Sequence, residues 1–228
     1  MHENLKDRFV DISQKIQAAC HKAQRSKKDV QLIAVSKLQS IEVIKEAYSL
    51  GINHFGENYA QELDKKVFAT PKDIIWHFIG PIQSNKVKLI AKHADWIHSL
   101  EREKIAKKLN DALEIEGRKI QVLIQVNIDQ EESKSGVHFN HVMDFAINVD
   151  VNYPNLILKG LMFMPKINQS KKDKIDSMKN IAALHRTFVN KFPAYNVLSL
   201  GTSNDFEESI LAGSTMIRIG ESLLGSRS

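Results

Sequence analysis

Short apolar runs alternate with helical stripes along almost the whole chain, and this alternation restricts the fold more than any single motif does. Strand-like runs lie at residues 30–37, 54–58, 75–80, 96–100, 120–128, 158–165, 197–201 and 215–220. The stretches between them carry helix signals. Ser40 can cap a helix holding Ile41, Ile44 and Ala47, with Gly51 to end it. Ile105, Leu109 and Ala112 form a second stripe that stops near Gly117, and Met178, Ile181, His185, Phe188 and Phe192 form a third. Asp205 can cap a short helix that contains Ile210 and Leu211. Ahead of the first strand, Phe9, Ile12, Ile16, Ala19 and Ala23 recur at three- and four-residue steps and predict an opening helix.

Repeated strand–helix units imply a parallel sheet. About eight units in 228 residues imply a closed (β/α)8 TIM barrel, with an open doubly wound sheet as the alternative. The run Gln121-Val122-Leu123-Ile124-Gln125-Val126-Asn127 favours the barrel. It alternates aliphatic and mostly polar residues, as a strand does when one face meets helices and the other lines a ligand-bearing mouth. No Pro/Gly/Ser-rich linker interrupts the pattern, so a single domain over residues 1–228 is expected.

Composition narrows the setting. No apolar stretch is long enough to span a bilayer, and the first residues lack the apolar core of a secretory signal. Cys20 is the only cysteine, which excludes an internal disulfide and fits a reducing cytoplasm. It shares a helical face with Ile16, Ala19 and Ala23 and reads as a buried structural thiol. The formal charge of +5 is spread over scattered lysine pairs, with no aromatic-interleaved basic motif, so nucleic acid is not an expected partner. No metal site is expected.

Barrel enzymes place their ligands at the C-terminal ends of the strands. Lys37 ends the apolar run Leu32-Ile33-Ala34-Val35-Ser36. A strand-end lysine ordinarily points into water. Burial there would instead disfavour its charged form and leave an amine suited to Schiff-base formation with an aldehyde. Two late segments suit a phosphate. Leu200-Gly201-Thr202-Ser203-Asn204-Asp205 opens a short helix, and Ile217-Arg218-Ile219-Gly220-Glu221-Ser222 follows the last strand. The same glycines would also serve as plain tight turns, and local sequence does not separate the two readings. An amine facing a phosphate site suggests an aldehyde that carries a phosphate, and pyridoxal 5′-phosphate meets both conditions. Arg218 can only donate hydrogen bonds. Beside a pyridine nitrogen it would keep that nitrogen unprotonated and weaken the ring as an electron sink.

The chain resembles the pyridoxal phosphate homeostasis proteins and, more distantly, the N-terminal barrel of alanine racemase. The resemblance rests on Ile33-Ala34-Val35-Ser36-Lys37, Phe55-Gly56-Glu57-Asn58-Tyr59-Ala60-Gln61-Glu62, Trp76-His77-Phe78-Ile79-Gly80-Pro81-Ile82-Gln83-Ser84-Asn85-Lys86, Ser133-Lys134-Ser135-Gly136, Lys159-Gly160-Leu161-Met162, Leu198 through Asp205 and Gly213 through Gly220. It implies a TIM barrel of the alanine racemase N-terminal type. It implies that Lys37 carries the cofactor as a Schiff base. Ser203, Gly220 and the backbone of Glu221 would hold the phosphate, Arg218 would lie near the pyridine nitrogen, and Asn58 and His77 would line the pocket. Members of the family often have methionine where Thr202 stands and a hydroxyl residue where Glu221 stands; a carboxylate would repel a phosphate beside it, so the Glu221 side chain is expected to turn outward.

Racemisation needs a base on each face of the reacting carbon. Lys37 could serve one. Tyr59, next to Asn58, is the one tyrosine worth testing for the other, although a packing role is the simpler reading. The chain ends at Ser228, soon after the last strand, with no second domain to supply the opposing base. As the resemblance implies, the expected function is a cytoplasmic cofactor carrier that masks pyridoxal phosphate and supplies it to apo-enzymes, and a barrel without the racemase's second domain is expected to be a monomer. Lys134 could assist transfer, or simply close over the mouth. A weak pyridoxal-phosphate-dependent racemase or lyase is the alternative.

Overall fold

The computed structural model describes residues 4–128, 135–166 and 170–226. Eight parallel strands close into a barrel: β1 (Gln31–Val35), β2 (His54–Glu57), β3 (Ile75–Phe78), β4 (Trp96–Leu100), β5 (Ile120–Asn127), β7 (Leu156–Phe163), β8 (Val197–Ser199) and β9 (Met216–Ile219). Neighbours pair in that order, and β9 returns to β1 with Ile33 opposite Arg218. A two-residue strand, β6 (Val137–His138), pairs with the C-terminal end of β5. Every strand expected from the alternation is present. The closed pairing removes the open-sheet alternative.

The helices cover the outside: α1 (Leu5–Lys22), α2 (Ile41–Ser49), α3 (Ala60–Ala69), α4 (Val87–His93), α5 (Glu103–Glu116), α6 (Val142–Asn152), α7 (Lys171–Lys191), α8 (Phe206–Leu211) and α9 (Glu221–Leu224). Ser40 caps α2 through the Val43 amide at 3.4 Å. Gly117 ends α5 at φ 62°, the left-handed region that glycine enters without strain. Asp205 stands at the N-cap of α8 but makes no side-chain bond into the helix. Its carboxylate turns back instead, accepting from the Thr202 amide at 2.6 Å and the Thr202 hydroxyl at 2.9 Å. The expected cap is thus a clasp within the loop.

The opening helix α1 buries Ile12, Ile16, Ala19 and Cys20. It is tied to the end of the chain by Arg8 Nε donating to the Leu223 carbonyl at 2.9 Å. Cys20 is fully buried, and burial raises its pKa, as suits an inert packing thiol.

Most of the core lies between barrel and helices. Inside the barrel a smaller apolar cluster of Ile33, Trp96, Leu123, Met162 and Met216 fills the lower layer. Two residues further along their strands come His77 (after Ile75), His98 (after Trp96), Ser199 (after Val197) and Arg218 (after Met216), all buried. The side-chain period of two therefore stacks a polar layer on an apolar floor. Above it lies the mouth.

Candidate functional site

The mouth holds a cavity of ≈ 620 Å³, within the range of small-ligand sites. Lys37, Asn58, Ser203, Arg218, Gly220 and Glu221 all line it. They come from the ends of β1, β2, β8 and β9, as a barrel requires of residues so far apart in sequence. Val35, Ile79 and Met164 give it apolar walls. A smaller recess of ≈ 170 Å³ adjoins it, sharing Met164, Thr202, Asn204 and Arg218.

Lys37 lies two residues beyond β1, in a turn, and is partly buried rather than enclosed. Asn58 follows β2, and its Oδ1 is screened from solvent with no hydrogen-bond partner. One end of that amide is therefore available to a group bound in the cavity. Ser203 is partly buried, while Glu221 is exposed at the head of α9. Tyr59 is 50% exposed and does not line the cavity. Lys134 lies outside the described residues. His185, on the α7 stripe, is partly buried and does not line the cavity, and burial lowers its pKa.

His77 is not in the cavity wall. It sits one layer down, fully buried, in a chain of side chains that sequence reasoning did not assemble. His54 Nδ1 lies 2.8 Å from His77 Nε2, His77 Nδ1 lies 2.9 Å from His98 Nε2, and His98 Nδ1 lies 2.9 Å from Ser199 Oγ. Arg218 closes the chain by donating from Nη1 to Ser199 Oγ, and from Nη2 to the Phe163 carbonyl at 3.0 Å. The alternation of strand residues was the available signal: His98 follows inward-facing Trp96 by two, as His77 follows Ile75.

Hydrogen-bond accounting assigns the protons. The Arg218 guanidinium can only donate, so Ser199 Oγ accepts from it. Giving the Ser199 hydrogen to His98 Nδ1 leaves no buried donor without a partner; the reverse would strand it. His98 then carries its proton on Nε2 and donates to His77. His77 does the same and donates to His54. All donors run one way, from Arg218 down to His54, and every ring is neutral. Burial agrees. It pushes His77 and His98 well below 6.5, helped at His77 by the neighbouring His98 and His54 and at His98 by Arg218, and it lowers His54 too.

Arg218 is 4% exposed. Burial brings its pKa down to about 10, against an opposing pull from Asp205, so it remains a cation at neutral pH. A buried guanidinium needs its acceptors. Ser199→Ala is expected to cost about 1–3 kcal/mol by leaving an Arg218 N–H unpaired, measured by urea unfolding. Equal stability of the two proteins would show that the hydroxyl is not needed.

The donor set fits a phosphorylated aldehyde. The Lys37 amine, the Ser203 hydroxyl, the Gly220–Glu221 turn and the Arg218 cation all border the one cavity. Among the described residues no group of His, Cys, Asp or Glu is arranged to hold a metal ion, and no helix is long and apolar enough to cross a membrane.

The family model described as alanine racemase, N-terminal domain, matches residues 12–228. A protein named pyridoxal phosphate homeostasis protein from Vibrio alginolyticus is 44% identical over 221 residues, covering 95% of this chain and 94% of that one. Among solved structures, an unknown protein from Bifidobacterium adolescentis superposes with a TM-score of 0.89 at 26% identity, covering 96% of this chain and 94% of that chain. PipY of Synechococcus elongatus PCC7942, solved with PLP bound, gives a TM-score of 0.79 at 28% identity, covering 94% of this chain and all of that one.

Proposed function

We infer the function from one premise: this chain belongs to the alanine racemase N-terminal domain family, and within it to the pyridoxal phosphate homeostasis proteins. It binds pyridoxal 5′-phosphate and acts in the cell's handling of that cofactor. The observation that carries this reading is the mouth cavity, which brings a lysine amine, a buried arginine and two phosphate-suited turns into one space.

We propose that residues 1–228 form a single cytoplasmic, monomeric cofactor-binding domain that holds the aldehyde on Lys37 and supplies it to apo-enzymes. The Lys37 nitrogen would form a C=N bond to the aldehyde carbon, the aldehyde oxygen leaving as water. The bound cofactor supplies a masked carbonyl and a ring able to accept electrons. The protein's own residues decide how far that ability is used. The Ser203 hydroxyl and the backbone at Gly220 and Glu221 orient the phosphate. Asn58 offers a hydrogen-bonding group at the ring's edge. Arg218, fixed by Ser199 and the Phe163 carbonyl, would offer the ring nitrogen only N–H groups and no proton. That favours storage over carbanion chemistry.

Borohydride reduction of the protein loaded with pyridoxal phosphate, followed by peptide mapping, tests the reading. A pyridoxyl group on the Lys37 peptide is expected, with complete loss of that label in Lys37→Ala. Labelling spread over surface lysines, unchanged in the variant, would overturn it.

A further inference from the structure

The two peptide groups on either side of Lys37 are both held by one buried ion cluster. Lys66 Nζ donates to the Ser36 carbonyl, to Glu57 Oε1 and to Glu62 Oε2, each at 2.8 Å. All three ammonium hydrogens are thereby used. Lys66 is 6% exposed and Glu57 is fully buried. Ser36 Oγ adds a bond to Glu57 Oε1 at 2.7 Å. On the other side of Lys37, the Leu38 amide donates to Glu62 Oε2 at 2.8 Å. Burial alone would raise the Glu62 pKa, but the bonds from Lys66 and the Leu38 amide outweigh it and the net shift is downward. Glu62 therefore stays an acceptor.

What this cluster holds is an unfavourable turn. The Gln39 amide donates to the Ser36 carbonyl at 2.9 Å, which closes a four-residue turn with Lys37 and Leu38 at its centre. Leu38 sits at φ 60°. A turn with positive φ at its third residue calls for glycine or asparagine, and a leucine there is strained. Its side chain, 47% exposed, gains little from burial. The other non-glycine residue with positive φ among those described, Gln24, follows the end of α1, where left-handed residues are common. Leu38 has no helix end to account for it. A plain fastening between α3 and the barrel could be apolar. An ammonium and a carboxylate are needed when the groups to be held are a carbonyl and an amide.

We propose that Glu57, Glu62 and Lys66 are positioning residues for Lys37: they hold the strained Ser36–Gln39 turn so that the amine is presented to the cavity. This assigns a role to the two acids of the Phe55–Glu62 motif that flank Asn58. It rests on the reading of Lys37 as the cofactor-bearing residue.

The test uses the full chain and pyridoxal phosphate. Glu62→Ala removes the acceptor for the Leu38 amide at a partly exposed position, and should slow covalent capture at Lys37 about tenfold, the population shift expected when a left-handed residue is released. Capture is followed by visible absorbance and confirmed by borohydride mapping. Adding Leu38→Gly, which removes the strain, should restore the rate. A purely structural fastening would not be rescued by a glycine. Capture at the wild-type rate in folded Glu62→Ala, or failure of Leu38→Gly to restore it, overturns the proposal. Should Glu62→Ala fail to fold, Glu62→Gln takes its place with the same rescue. If the wild-type chain forms no bond at Lys37, the functional reading fails on its own. The clamp is then decided by acetic anhydride labelling of Lys37, which must change in Glu62→Ala and return with Leu38→Gly; unchanged labelling overturns it.

Discussion

Gly160→Ala is expected to abolish the folded state. Gly160 has φ 154°, a conformation that side-chain-bearing residues rarely adopt, and an added Cβ would lie 1.9 Å from the Val197 carbonyl oxygen and within 2.8 Å of the Val197 carbonyl carbon and nitrogen. All three obstacles are backbone, so no rotamer change relieves them. Gly160 pairs with Val197 in the short seam between β7 and β8. It also follows a bulge, where the pairing with β5 shifts register between Val122 and Leu123. The bulge fixes where β7 can sit and leaves no room to slide. Separating the seam would open the barrel beside Ser199 and Arg218. The loss should exceed about 4 kcal/mol, a large share of a typical domain's stability. Soluble yield and circular dichroism at neutral pH measure it. A soluble variant with the wild-type melting temperature would mean that the seam can spread.

Acidification is expected to destabilise the protein steeply below pH 6.5, before most of its carboxylates titrate. His77 and His98 are fully buried, and burial sets both pKa values well below 6.5 in the folded state. In the unfolded chain they return to about 6.5. Below that value the unfolded state binds more protons, so stability falls as pH falls, until the folded-state values are reached. Two such groups approach about 3 kcal/mol per pH unit at the acid end of the window. His54, lowered by burial, acts in the same direction. Glu57, raised by burial, opposes it as it takes up its proton. The geometry makes the loss cooperative. A second proton on any ring turns an acceptor into a donor and breaks the one-way chain that ends at Arg218. Urea unfolding at pH 7.5, 6.5 and 5.5 reads the slope. Equal stability at all three would refute the neutral-histidine assignment.

The barrel was legible because strand and helix periodicity are local. Each of the eight runs carries its own pattern, and Gly51 and Gly117 mark helix ends by conformational need alone. Lys37, Asn58, Ser203, Arg218, Gly220 and Glu221 were legible as strand-end residues once the barrel was assumed. Lys66 was not. It lies mid-helix on α3, in a lysine pair that reads as a solvated face, and only its burial against Glu57 and Glu62 distinguishes it from Lys65. His77 was assigned to the pocket wall by resemblance. Its depth depends on which layer of the barrel its register places it in.

The sequence by itself determined the (β/α)8 architecture and which polar residues stand at its strand ends, since both follow from residue types at short, regular spacings. Only the tertiary structure decided that Arg218 ends a line of neutral histidines, and that Lys66 grips the turn bearing Lys37. Those relations join residues up to 101 positions apart, as in the His98–Ser199 bond. They depend on barrel closure and inter-strand register, which no local pattern encodes.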